Sequence, residues 1–257
     1  MHNEDLMKRA IFGQFDLAYL PLIDTASRRV VGVEALSRWG YANNARLSTE
    51  SVMRQIEGSS AEPPYVRQLL QKAARDWARM EEVMHGMVMA INVSPYAFTL
   101  GLVDDIQQHW PETRLLEVEL TERMKVYDYG HVDGVVACMR NLGITVSLDD
   151  YTGTPYCVSK MVGIEVDCVK LDKSVLANLK SDRHTFTNAT RLAKSMGCKI
   201  TAEGVETLDH LRIVSEAGVD KWQGYLATKP LFIGELLAWL KDTECRFVLP
   251  AERLQSA

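Results

Sequence analysis

"NLGITVSLDD", residues 141–150, carries the pattern that decides the fold: a glycine closes a helix, an apolar run of strand length follows, and the run ends in carboxylates. The pattern returns in "SMGCKITAEG", residues 195–204, and in "EAGVDKWQG", residues 216–224. Gly143, Gly197 and Gly218 stand where a helix end turns left-handed, a conformation glycine adopts without steric cost. Before Gly197, the residues Phe186, Ala189, Ala193 and Met196 recur at helical spacing. Helix and strand therefore alternate, which predicts parallel strands.

Extended outward, the same reading gives candidate strands at 17–22, 30–36, 87–93, 115–120, 144–149, 166–171, 199–203 and 219–225. Between the second and third lies an amphipathic stretch from Tyr65 to Met84, with Val66, Leu69, Leu70, Ala73, Trp77, Met80 and Met84 on one stripe. Eight strand-helix units in 257 residues predict a (β/α)8 TIM-like barrel rather than an open doubly wound sheet, whose glycine-rich phosphate loop is missing. No linker divides the chain, so a single domain over 1–257 is expected, with its core at about 12–245. The polar segment 43–64 reads as an excursion between strand and helix.

Composition narrows the function. The net charge of −5 and pI near 5.7 leave no general basic footprint, which excludes polymeric nucleic acid as a partner. Cys138, Cys157, Cys168, Cys198 and Cys245 are odd in number and lie mostly in apolar runs, the usage of reduced core thiols in a cytoplasmic protein. No apolar run is long enough for a membrane segment.

In a barrel the strand ends build the active site. The apolar runs stop at Glu34, Asn92, Glu119, Asp149-Asp150, Lys170, Glu203 and Gln223. Any one of these has a bland explanation: an aspartate caps helices, and Glu119 with Glu122 suits a charged first turn. Their shared position at one rim does not. Adjacent aspartates at a buried mouth are tolerable when divalent cations neutralise them. The set Glu34, Asn92, Glu119, Asp149 and Asp150 is all oxygen, which favours Mg2+ or Mn2+ over zinc and leaves Ca2+ open.

These residues carry a resemblance. Glu34-Ala35-Leu36, Asn92-Val93-Ser94, Glu119-Leu120-Thr121-Glu122, Asp149-Asp150, Lys170-Leu171-Asp172, Ala202-Glu203-Gly204-Val205-Glu206 and Gln223-Gly224-Tyr225-Leu226 follow in order over nearly the whole chain. In this the sequence resembles the EAL-domain cyclic di-GMP phosphodiesterases. The resemblance implies a first strand antiparallel to the rest and hydrolysis of cyclic di-GMP to linear pGpG at a two-metal site, with Ca2+ inhibitory. It implies metal ligands at Glu34, Asn92, Glu119, Asp149 and Asp150, and catalytic roles for Glu203, Lys170 and Asp150. It further implies substrate contacts at Arg38, Leu20, Gln223 and Pro230, a loop-stabilising role for Glu122, and a homodimer.

Two departures from the family pattern keep other readings open. Tyr19-Leu20-Pro21-Leu22 has Leu20 where the family carries a glutamine, and the loop at 151–158 has its glycines displaced, with Pro155 where the family has tyrosine. The rival reading is a catalytically weak or inactive domain acting as a cyclic di-GMP receptor or as a regulator that contacts a protein partner. A third reading is a different phosphodiester substrate.

Overall fold

The structure is a computed structural model describing residues 15–42, 45–46, 48–121, 129–154, 164–179 and 182–247. Eight strands close on themselves: β1 (Phe15–Asp24), β2 (Val30–Trp39), β5 (Val88–Val93), β6 (Leu116–Leu120), β7 (Thr145–Tyr151), β8 (Cys168–Leu171), β9 (Lys199–Ala202) and β10 (Lys221–Trp222). Neighbours from β2 to β10 are parallel, whereas β1 is antiparallel to both β2 and β10, as the resemblance implies. A tight turn at 25–28 joins β1 to β2, a connection that only an antiparallel pair permits. A short strand, β11 (Leu231–Phe232), pairs with β1 outside the closed ring.

Helices cover the sheet as the alternation predicts. The stripe read from 65 to 84 is the buried face of α2 (Glu62–Glu81), and the helix stops just short of Met84. Outside the barrel follow α3 (Leu100–His109), α4 (Tyr129–Asn141), α5 (Lys173–Ala177), α6 (Arg183–Ser195), α7 (Leu208–Glu216) and α8 (Ile233–Asp242). Gly143, Gly197 and Gly218 all take positive φ at helix ends, between 64° and 78°. The segment 43–64 is not mere excursion: it contains helix α1 (Thr49–Ile56), capped by Ser48, whose side chain accepts from the Ser51 N–H. A two-stranded ribbon, β3 (Tyr41–Ala42) with β4 (Ala45–Arg46), precedes it.

Strand alternation divides β6 between two environments. Val118 and Leu120 belong to the hydrophobic cluster, while Glu117 and Glu119 face polar partners across the barrel interior. Lower in the barrel, Glu117 accepts from Ser147 Oγ and Lys221 Nζ, each at 2.7 Å. Higher up, Glu119 meets Lys170. The axis is thus polar at two levels where many such barrels stack branched apolar side chains. Of the cysteines, Cys168 and Cys245 are buried and Cys138 and Cys198 half-buried, all as free thiols; Cys157 lies outside the described residues.

Candidate active site

The strand-end residues converge. Lys170, on β8 and only 1% exposed, places Nζ 2.7 Å from Glu119, 2.7 Å from Glu203, 3.1 Å from Asp149 and 3.4 Å from Glu34. Glu34 is held from both sides, by Asn92 Nδ2 at 2.7 Å and by Gln223 Nε2 at 2.6 Å, and Gln223 Nε2 also reaches Glu203 at 3.0 Å. Residues from β2, β5, β6, β7 and β8, with the residues that follow β9 and β10, therefore share one mouth.

Two adjacent strand residues ordinarily face opposite sides of a sheet. Asp149 and Asp150 escape this because the β7–β8 register shifts between Leu148 and Tyr151, and Asp150 takes φ of 53°. This bulge turns both carboxylates inward. One oxygen from each of Asp149, Asp150 and Glu203 lies within 4.8 Å of the others, close enough for a shared cation. Buried acceptors without a hydrogen-bond donor point the same way. Glu119 Oε1 and Gln223 Oε1 receive none, and Asp149 Oδ1 has only the ion pair with Lys170, without hydrogen-bond alignment. A donor set of carboxylate and amide oxygens, part of it unsatisfied, fits a hard divalent ion.

The electrostatics follow from crowding. Burial drives the Lys170 ammonium toward losing its proton, but Asp149, Glu119, Glu203 and Glu34 outweigh burial and hold its pKa well above the usual lysine range. Burial also pushes Glu34 up, yet Lys170 and the amide donors Gln223 and Asn92 keep it below the ordinary carboxyl value. Glu119 goes the other way: burial, then repulsion from Glu34, raise it well above normal. Glu203 is pushed up to about 8, chiefly by burial, and Asp150 to about 6, by burial and then by Asp149 and Asp172.

A cavity of about 250 Å3 opens beside Glu34, Asn92, Asp149 and Asp150, and Arg38 lines it, donating meanwhile to the Ser37 carbonyl at 2.9 Å. Leu20 is buried opposite Glu34 in the β1–β2 register and does not line this cavity. Pro230 lies in the turn before β11. Glu122 and residues 155–158 of the altered loop lie outside the described residues. A larger cavity of about 870 Å3 opens at the opposite, amino-terminal end of the parallel strands, but its acids are structural: Asp167 accepts from the Val146 N–H and Asp220 from the Ile200 N–H, each at 2.9 Å. Sequence reasoning missed the buried pair Glu117–Lys221, which alternation two residues before Glu119 and Gln223 could have revealed, and the buried carboxylate Glu62.

A closed barrel of mixed strand direction, with its acidic residues gathered at one mouth, defines the class as a TIM-like barrel. More narrowly, the EAL domain profile matches residues 3–230, and the chain belongs to the EAL domain family. It is 29% identical over 240 residues to a probable cyclic di-GMP phosphodiesterase, PdeN, of Escherichia coli strain K12, covering 89% of this chain and 46% of that protein. It is likewise 29% identical over 236 residues to the cyclic di-GMP phosphodiesterase PA2567 of Pseudomonas aeruginosa, covering 88% and 40%. The chain thus spans less than half the length of these relatives. Among solved structures, the EAL enzyme Bd1971 in its cAMP- and cyclic-di-GMP-bound form superposes with a TM-score of 0.82 at 24% identity, over 91% of this chain and 67% of that one. The PaMucR phosphodiesterase in complex with c-di-GMP gives 0.80 at 21%, over 91% and 98%. Both likenesses establish the barrel. Among the described residues no helix is long and apolar enough to cross a membrane.

Proposed function

We propose that the protein is a metal-dependent phosphodiesterase that hydrolyses cyclic di-GMP to linear pGpG, lowering this messenger in a bacterial cytosol, and that it works as a homodimer. One observation carries the reading: a single lysine faces four carboxylates at the barrel mouth, and acceptor oxygens there lack donors. Such a cage repels a phosphodiester anion until cations enter. The names of the curated relatives support the choice of substrate.

Glu34, Asn92, Glu119, Asp149 and Asp150 would hold Mg2+ or Mn2+. When bound, the metal supplies an acidified water and charge stabilisation at the phosphate. Glu203, held at the mouth beside Lys170 and Gln223, would take a proton from the attacking water once cations have displaced its own. Gln223 and Lys170 fix its orientation through their contacts at 3.0 and 2.7 Å. Asp150, with an oxygen within 4.8 Å of oxygens of Asp149 and Glu203, would share in placing the attacking water. Arg38 offers its planar fork to a phosphate oxygen from the cavity wall. As the water oxygen bonds to phosphorus, the bond to the ribose 3′ oxygen breaks. That oxygen leaves with the proton that Glu203 took from the water, and the product is a linear dinucleotide with a 5′ phosphate and a free 3′ hydroxyl.

Leu20 favours a second reading, a receptor or protein-contacting regulator, because an apolar side chain stands where the family pattern has an amide; an unpaired guanine edge costs about 1–3 kcal/mol. The test is chromatography of cyclic di-GMP incubated with the protein and Mg2+ or Mn2+, beside calorimetric binding. The hydrolase reading expects pGpG. It also expects Glu203→Gln, which keeps an oxygen to accept from Gln223 and Lys170, to lose about a hundredfold or more in turnover while binding persists. Binding without turnover by the wild-type protein would transfer the conclusion to the receptor.

A further inference from the structure

Glu62 is a buried carboxylate that the chemistry above does not use. It opens α2, is 2% exposed, and is followed by Pro63 and Pro64, which have no N–H to offer. Its two oxygens serve different segments. Oε1 accepts a very short hydrogen bond from Ser94 Oγ, and Oε2 accepts the Gly58 N–H at 2.7 Å. Burying a carboxylate is unfavourable by several kcal/mol unless donors surround it; here two donors and the positive end of a 20-residue helix offset that cost.

One donor, Ser94, lines the cavity beside Glu34, and the other, Gly58, directly follows Glu57 of the facing wall. Ser94 follows Asn92 by two positions, lines the cavity, and also accepts the Tyr96 N–H at 3.2 Å. Gly58 ends the turn after α1, whose Thr49, Glu50 and Met53, with Glu57 beyond its end, line the facing wall. The walls touch there: Gly58 has φ of 72°, and a Cβ on it would lie 3.1 Å from the Tyr96 ring. Asn92 in turn donates to Glu34 at 2.7 Å.

We propose that Glu62 is a positioning residue: by tying Ser94 to the α1 turn it fixes Asn92 against Glu34 and so sets the affinity of the mouth for its cation. This rests on the reading of Asn92 and Glu34 as metal ligands. The test is Mn2+ titration calorimetry on wild type, Glu62→Met, Glu62→Gln, Asn92→Ala and the Met/Ala double variant. Methionine keeps the length and loses both acceptors, so Mn2+ should bind about tenfold more weakly, the usual effect of removing an outer partner of a ligand. Glutamine can accept from Gly58 and donate to Ser94 Oγ, and should lose less than about threefold. In the Asn92→Ala background the methionine effect should shrink below about twofold, because the path through Asn92 is gone.

A folded Glu62→Met protein that binds Mn2+ like wild type, or that loses the same factor with Asn92 absent, overturns the proposal. If Glu62→Met does not fold, Ser94→Ala breaks the same tie from the other side, and unchanged Mn2+ affinity there overturns it equally. Wild-type protein that binds no Mn2+ ends this proposal together with the metal reading. Wild-type protein that binds Mn2+ and makes no pGpG removes only the hydrolase reading, and weakened binding in Glu62→Met would still support the clamp.

Discussion

At the residue scale, the mouth is defined by competition between protons and cations for the same oxygens. Glu203 goes from the usual 4.5 to about 8 and Asp150 from 3.8 to about 6, both chiefly through burial. Both folded-state values lie above those of the unfolded chain. The metal-free fold therefore holds protons that the unfolded chain has released, and the stability they contribute is present below about 4 and disappears as pH rises through about 8. Unfolding in a chelator should show stability declining from pH 5 to pH 8.5. A cation takes over the protons' role, so Mn2+ binding at pH 7 should release protons from the carboxyls that burial and crowding hold protonated, Glu119 and Glu203. Calorimetry in buffers of differing ionisation enthalpy measures that release. Binding with no proton release would mean that Glu119 and Glu203 are both already ionised in the metal-free fold.

At the element scale, the helix-closing glycines show how local chemistry sets the spacing of the strands. Gly197 has φ of 77° and nothing within 4 Å of a built Cβ, so Gly197→Ala meets backbone strain alone. It should lose about 1–2 kcal/mol in denaturant unfolding and leave Mn2+ affinity unchanged. A loss below a few tenths would mean that the turn relaxes. These glycines, with helical spacing before them and apolar runs after them, made the barrel legible, since both signals depend only on near neighbours in the chain. The strand ends made Glu34, Asn92, Glu119, Lys170 and Glu203 legible for the same reason. The bulge that turns Asp149 and Asp150 to one side was not, because a register shift between β7 and β8 is a property of two paired strands. Helix α1, of whose residues Val52 and Ile56 alone are buried, was hidden inside a polar segment. Glu62 was hidden because its donors, Gly58 and Ser94, come together only once α1, α2 and β5 have packed.

At the scale of the whole molecule, the barrel has a seam. β1 pairs with β2 from Phe15–Trp39 to Ile23–Val30, but meets β10 only at Ile23–Trp222 and Asp24–Lys221. Backbone closure there is short, helped by the Thr25 N–H donating to the Asp220 carbonyl at 3.0 Å and by the edge-on packing of Trp222 against Phe247. The mouth bridges this seam, because Gln223 beyond β10 reaches over β1 to Glu34 on β2 at 2.6 Å. A cation held by Glu34 together with Asn92, Glu119, Asp149 and Asp150 would fix the carboxylate that Gln223 reaches, and so brace the ring across the seam. Openings that part the seam would have to release it. At Mn2+ one hundred times its dissociation constant, such openings become less frequent by about a hundredfold, equivalent to about 2.7 kcal/mol. Hydrogen exchange should accordingly slow at residues 221–223 and at Thr25, while the first turn of α7 keeps its rate. Slowing confined to β6 and β7, with 221–223 unchanged, would mean that the cation is held by one wall alone and that the Gln223–Glu34 contact does not carry its hold across the seam.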